Sequence, residues 1–73
     1  MLTVVPTSER VLTWERVGRD HDRTPDGRFE VLFVPRDQVW VAWDFGPAGE
    51  WRKPLTFRAA SRSAAVTWCE GRP

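Results

Sequence analysis

The run Val39-Trp40-Val41-Ala42-Trp43-Asp44-Phe45 restricts the fold of this chain more than any other stretch. It is the densest apolar run, it carries two of the five Trp, and it lies between Pro35-Arg36-Asp37 and Gly46-Pro47-Ala48-Gly49. β-Branched and aromatic residues held between turn clusters read as a strand, here a central one. Alternation puts Val39, Val41, Trp43 and Phe45 on one face and Trp40, Ala42 and Asp44 on the other.

Two further runs pair with it. In residues 11–17, Leu12 and Trp14 mark the better core face against Val11, Thr13, Glu15 and Val17. In residues 28–34, Phe29, Val31 and Phe33 alternate strictly, and Arg28 and Glu30 share the other face with Leu32 and Val34. Residues 18–27 carry no large apolar side chain and close on Pro25-Asp26-Gly27. Pro presets φ and Gly accepts a positive one, so this segment reads as a long hairpin loop. Pro35-Arg36-Asp37-Gln38 makes the second reversal, and the three strands form an antiparallel meander.

Beyond Phe45 the pattern breaks. Glu50-Trp51-Arg52-Lys53-Pro54 is at most a short strand, and Leu55 and Phe57 lead into an Ala-rich segment. Ala65, Trp68 and Cys69 fall at i, i+3 and i+4, which predicts a helix over 59–70. Ser61 is the natural N-cap, with a start two residues earlier as the other option; Gly71 ends the helix. The expected fold is α+β: a three-stranded antiparallel meander followed by one C-terminal helix packed on one sheet face (β-β-β-α). One domain spans 1–73, with 1–10 as an irregular lead-in, 11–57 as sheet and 59–70 as helix. Leu2-Thr3-Val4-Val5 is a candidate edge strand in the lead-in.

Seventy-three residues sit near the lower limit for folding without covalent staples, and one Cys allows no intramolecular disulfide. Stability must then come from aromatic bulk, supplied by five Trp and four Phe. A single thiol and no signal-peptide pattern point to the cytoplasm, and no apolar run is long enough to span a membrane. The net charge of +1 gives no strong field for nucleic acid. Positive charge is almost all arginine, which fits either codon bias in a GC-rich genome or selection for guanidinium groups.

Asp20-His21-Asp22 is the one constellation with a catalytic look. Adjacent residues in a solvated loop do not converge on one point, and the chain supplies no second His, no neighbouring nucleophile and no phosphate cradle. No catalytic residue, metal ligand, cofactor or small-molecule substrate is expected, and the chain does not read as an enzyme. Cys69, beside Trp68 and Ala65, reads as a packing residue.

The sheet face away from the helix carries the functional expectation. If Phe29, Val31, Phe33, Val41 and Trp43 face the helix, then Arg28, Glu30, Leu32, Val34, Trp40 and Asp44 face outward. An apolar centre of Trp40, Leu32 and Val34 rimmed by charge, with Arg28 beside it, resembles a protein-interface anchor. The other reading is a second small cluster, with Leu2 or Val4 laid over Trp40. A further set, Arg28, Trp51, Arg52, Lys53 and Arg62, mixes basic and aromatic groups in the way that backbone contacts to nucleic acid do.

The pieces Gly27-Arg28-Phe29-Glu30-Val31, Val39-Trp40-Val41-Ala42-Trp43 and Leu55-Thr56-Phe57 before an Ala-rich helix resemble two kinds of three-stranded-sheet-plus-helix DNA-binding domain. These are the plant ethylene-response-factor domain and the N-terminal domains of some tyrosine recombinases, and the resemblance implies major-groove contact by Arg and Trp. Glu30 and Asp44 depart from that pattern, since acidic groups on a presented face repel phosphate. The Arg usage and the ending Trp68-Cys69-Glu70 also resemble small Trp-rich proteins of actinobacteria and their phages, some of which bind and inhibit a host protein. The expectation is therefore a non-enzymatic module that binds a host or cellular protein, or a second copy of itself, through Trp40, Leu32, Val34 and Arg28. DNA binding through Arg28, Trp51, Arg52, Lys53 and Arg62 is the alternative.

Overall fold

The computed structural model describes residues 11–73. The expected lead-in, the edge strand at 2–5 and any cover from Leu2 or Val4 lie outside the described residues. Five strands follow in order, β1 (Glu15–Gly18), β2 (His21–Arg23), β3 (Phe29–Val34), β4 (Val39–Asp44) and β5 (Leu55–Ala59), and then helix α1 (Arg62–Glu70). They form one antiparallel sheet in the order β1-β2-β3-β4-β5, each strand paired with the next.

This corrects the three-stranded expectation. The sheet has five strands because β2 pairs through its backbone without an apolar signature, and because Leu55–Ala59, expected only as the lead into a helix over 59–70, pairs with β4 and delays the helix to Arg62. β2 lies inside the expected hairpin loop, and it has no apolar side chain to announce it. Its side chains are held by partners on opposite faces: His21 Nε2 lies 2.9 Å from Glu30 Oε1, and Asp22 accepts from Arg62 at 2.9 Å. The Thr24–Arg28 turn beyond it is tied locally, with Thr24 Oγ1 donating to Asp26 and accepting from the Phe29 N–H. β5 begins immediately after Pro54, a position at which a strand loses no ladder donor.

The second correction concerns which side chains lie inside. Four residues, 35–38, connect Val34 to its partner Val39. Phe33 is then opposite Trp40, Val31 opposite Ala42 and Phe29 opposite Asp44. Opposed residues share a face, so Trp40, Ala42 and Asp44 join the Phe29 face and Val41 and Trp43 leave it. The buried core is Phe29, Val31, Ala42, Ala59, Ala65 and Cys69, with Leu12, Trp14, Trp40 and Trp68 packed around it. Small residues at 42, 59 and 65 let α1 lie close over β3, β4 and β5. Trp40 meets Phe33 at 5.5 Å between centroids, and Trp68 stacks on Phe57 at 5.4 Å with the rings nearly parallel. Ser61 caps the helix, its hydroxyl accepting from the Ala64 N–H. Gly71 bonds back to Thr67 in a right-handed conformation.

Asp44 is wholly buried on this face. Arg28 grips it with two hydrogen bonds, Nε to Oδ1 at 2.9 Å and Nη2 to Oδ2 at 3.0 Å. Arg72 adds a third at 3.0 Å and the Gly46 N–H a fourth at 2.8 Å. Arg28 also donates to the Pro73 carbonyl, which pins the segment after the helix to the start of β3. Burial pushes the Asp44 carboxyl up, but Arg28, the Gly46 N–H and Arg72 outweigh it and hold the group at about 2.

Trp40→Ala should lower the unfolding free energy by about 2–4 kcal/mol in urea titrations, because it opens the layer between sheet and helix. The folded value of Asp44 lies below its ordinary 3.8, so its contribution is full above about pH 4 and is lost as pH falls toward 2. That contribution is about 2 kcal/mol. Asp44→Asn should cost about 3 kcal/mol or more at pH 7, since it leaves two cations without their counter-charge. The same variant should flatten the acid dependence between pH 4 and pH 2.

Candidate protein-binding face

The face of the sheet opposite α1 is assembled from every second residue of the five strands. Across the middle run Leu32 and Val34 of β3 and Val39, Val41 and Trp43 of β4. All five are half-buried, and the packing of α1 is on the other side, against β3, β4 and β5. β-Branched residues at this density suit a strand on steric grounds, and here they leave a continuous apolar stripe two strands wide.

Charged side chains frame the stripe. On the β2 side stand His21, joined to Glu30, and Arg23, which lies opposite Glu30. On the β5 side Arg58, opposite Val41, reaches Asp37 of the β3–β4 turn at 3.4 Å. Both of these contacts are solvent-accessible, so they orient side chains more than they stabilise the fold. The frame thus carries both signs, and its apolar centre carries no charge.

Of the expected contact residues, Leu32 and Val34 lie on this face. Trp40 does not: it points to the helix, and Trp43 occupies the corresponding place on the open side. Arg28 does not lie there either, being 8 % exposed and engaged with Asp44. The nucleic-acid set is dispersed. Trp51 covers Gly46 so closely that a Cβ there would fall 2.6 Å from its ring. Arg52 and Lys53 are exposed in the connection to β5, and Arg62 is bound to Asp22 at the start of the helix.

The residues whose place on this face the sequence reading missed are Val39, Val41, Trp43 and Arg58, the last grouped with Arg62 in the basic stretch before the helix. One signal could have found the first three. A four-residue connection makes each paired sum odd, so an odd-numbered residue of β3 must share its face with an even-numbered residue of β4. For Arg58 no signal was present without knowledge of β5.

The Asp20-His21-Asp22 triplet is split by the sheet. Asp20 holds a left-handed turn conformation at φ 52°, His21 faces the open side, and Asp22 faces the helix side with Arg62. Among the described residues, no three His, Cys, Asp or Glu side chains gather to hold a metal ion. No helix among them is long and apolar enough to cross a membrane. Comparison of the chain with protein-family models, with curated proteins and with solved structures finds no match in any of the three.

Cys69 is fully buried in the core, and burial, with the nearby Asp44 and Glu70 charges, pushes its thiol up to about 12. It should therefore resist a thiol-specific reagent at pH 8 in the native state. Reaction should follow the rate of global unfolding, rising with urea; fast labelling in buffer alone would show a looser core.

Proposed function

We propose that this protein is a non-enzymatic binding module that engages a partner protein through the open face of its sheet. The observation that carries the reading is the stripe of Leu32, Val34, Val39, Val41 and Trp43 on the side of the sheet opposite the helix. An apolar centre with a large aromatic, inside a rim of both charge signs, is the composition of an interface whose affinity rests on a few desolvated residues. Trp43 is the anchor in this account, with Leu32 and Val41 opposite one another beside it and Arg58 and Glu30 at the rim.

DNA contact is the weaker reading. Arg28 is committed to Asp44, Arg62 to Asp22, and the open face mixes Glu15, Glu30 and Asp37 with Arg23 and Arg58. A phosphate-driven complex would fall steeply with ionic strength, whereas an apolar interface would not.

Capture of binding partners with the wild-type protein, the Trp43→Ala protein and an Arg19→Ala control on the β1–β2 turn tests this. A partner retained by wild type and by the control should bind the Trp43→Ala protein more weakly by about 1 kcal/mol or more, at physiological salt. The variant should still unfold cooperatively above the assay temperature, with a midpoint below that of wild type because Trp43 is half-buried. Equal retention by all three proteins would remove the open face from the account.

A further inference from the structure

The two edges of the sheet are built differently. β1 is four residues long, its register slips between Arg16 and Gly18, and it carries Glu15 and Arg16. A short, charged and irregular edge is the usual defence against an additional strand. β5 has five residues, pairs in unbroken register with β4, and exposes Leu55 (44 %) and Phe57 (37 %). Among the described residues nothing pairs with its outer side.

The direction of its backbone groups follows from the ladder. The Phe45 N–H donates to the Arg28 carbonyl at 2.7 Å, which makes 28 and 45 a hydrogen-bonded pair. Alternation then turns Val39, Val41 and Trp43 toward β3, and Trp40, Ala42 and Asp44 toward β5. On β5, Leu55, Phe57 and Ala59 answer β4, and Thr56 and Arg58 present N–H and C=O outward. Beside them on the helix side, the Phe57–Trp68 stack forms an aromatic shelf, with Arg72 over the Trp68 ring at 5.2 Å.

We propose that β5 takes a sixth strand from a partner: an extended segment that alternates apolar and acidic residues. The apolar side chains would pack on Leu55, Phe57 and the shelf, and the acidic ones would meet Arg58 on the other face. Charge selects this occupant over a second copy of the chain. From Trp51 to Cys69 there is no Asp or Glu; Arg52 and Lys53 stand exposed just before the edge, and Arg58 lies on it with only a solvent-exposed 3.4 Å contact to Asp37. Two copies paired through β5 would bring these cations together, whereas an acidic strand neutralises them. Main-chain hydrogen bonds at an open edge with pockets for alternate side chains are a general mode of peptide capture. This surface shares Arg58 with the rim around Trp43, but backbone pairing at Thr56 and Arg58 does not use the apolar stripe, so the amide protection and the Trp43→Ala result can each fail alone.

The test uses the intact chain and a blocked hexapeptide of alternating Val and Glu, with a Val–Lys peptide as counterpart. Amide hydrogen exchange followed by NMR should slow by at least about tenfold at Thr56 and Arg58 on saturation with the Val–Glu peptide only. Thr56→Pro removes an outward donor without touching the bonds to β4, and it should abolish that protection. Arg58→Glu, at an exposed site, should reverse the preference to the Val–Lys peptide, which keeps the test decisive if the proline variant is unstable. Protection elsewhere, equal binding of both peptides, unaltered binding by a folded Thr56→Pro protein, or self-association that protects the same amides without peptide would each overturn the proposal.

Discussion

A wholly buried carboxylate sets the terms for this fold. Asp44 stands on the helix face of a central strand, where an unpaired charge would cost several kcal/mol. It is tolerated because Arg28, Arg72 and the Gly46 N–H meet it from three parts of the chain. Those contacts fix the end of the β3–β4 ladder, the turn after β4 and the segment after the helix in one cluster. Arg28 and Arg72 also lie over the rings of Phe29 and Trp68, so the same guanidinium groups close the end of the apolar core. A chain of this size has few large apolar side chains fully inside. A polar cluster with every lone pair engaged confers directional specificity that Ala42, Ala59 and Ala65 do not.

That cluster also explains what was and was not legible in the sequence. The strong strands were readable, because β3 and β4 are dense in β-branched and aromatic residues between turn signals. The Ser61 cap and the Ala65–Cys69 spacing were readable too. β2 was not, since His21-Asp22-Arg23 pairs through its backbone and has no apolar periodicity. β5 was hidden because Pro54 masked its start and an Ala-rich helix followed. The inside and outside of β4 were reversed for a physical reason. Counting hydrophobicity favours burying Val39, Val41 and Trp43 over a face that contains Asp44, but the acid belongs inside once two arginines are folded against it. Parity in the four-residue turn held the answer, and composition pointed away from it.

The reversal changes which side chains the open face presents. One side of the sheet is committed to the helix and to the ionic cluster. The other presents Leu32, Val34, Val39, Val41 and Trp43 inside a mixed-charge rim, and one edge presents Thr56 and Arg58 with an aromatic shelf beside them. Both surfaces are proposed as protein-recognition sites, and they differ in physics. The face would act by desolvating a broad apolar area, and the edge by backbone pairing steered by positive charge. His21 and Cys69, the side chains with the most chemical potential, are held in structural contacts: His21 with Glu30, and Cys69 within the core.

Which β4 side chains share a face with Phe29, Val31 and Phe33 decides both what the helix covers and what the open face presents. The most direct measurement is the pattern of Hα–Hα nuclear Overhauser effects between β3 and β4. Residues opposed in the narrow, non-hydrogen-bonded pairs of an antiparallel ladder bring these protons close together. The register described here predicts strong cross-peaks for Phe29–Asp44, Val31–Ala42 and Phe33–Trp40. Cross-peaks from Phe33 to Val39 or Val41 instead would return Trp43 to the core and Trp40 to the open face, and would contradict the account.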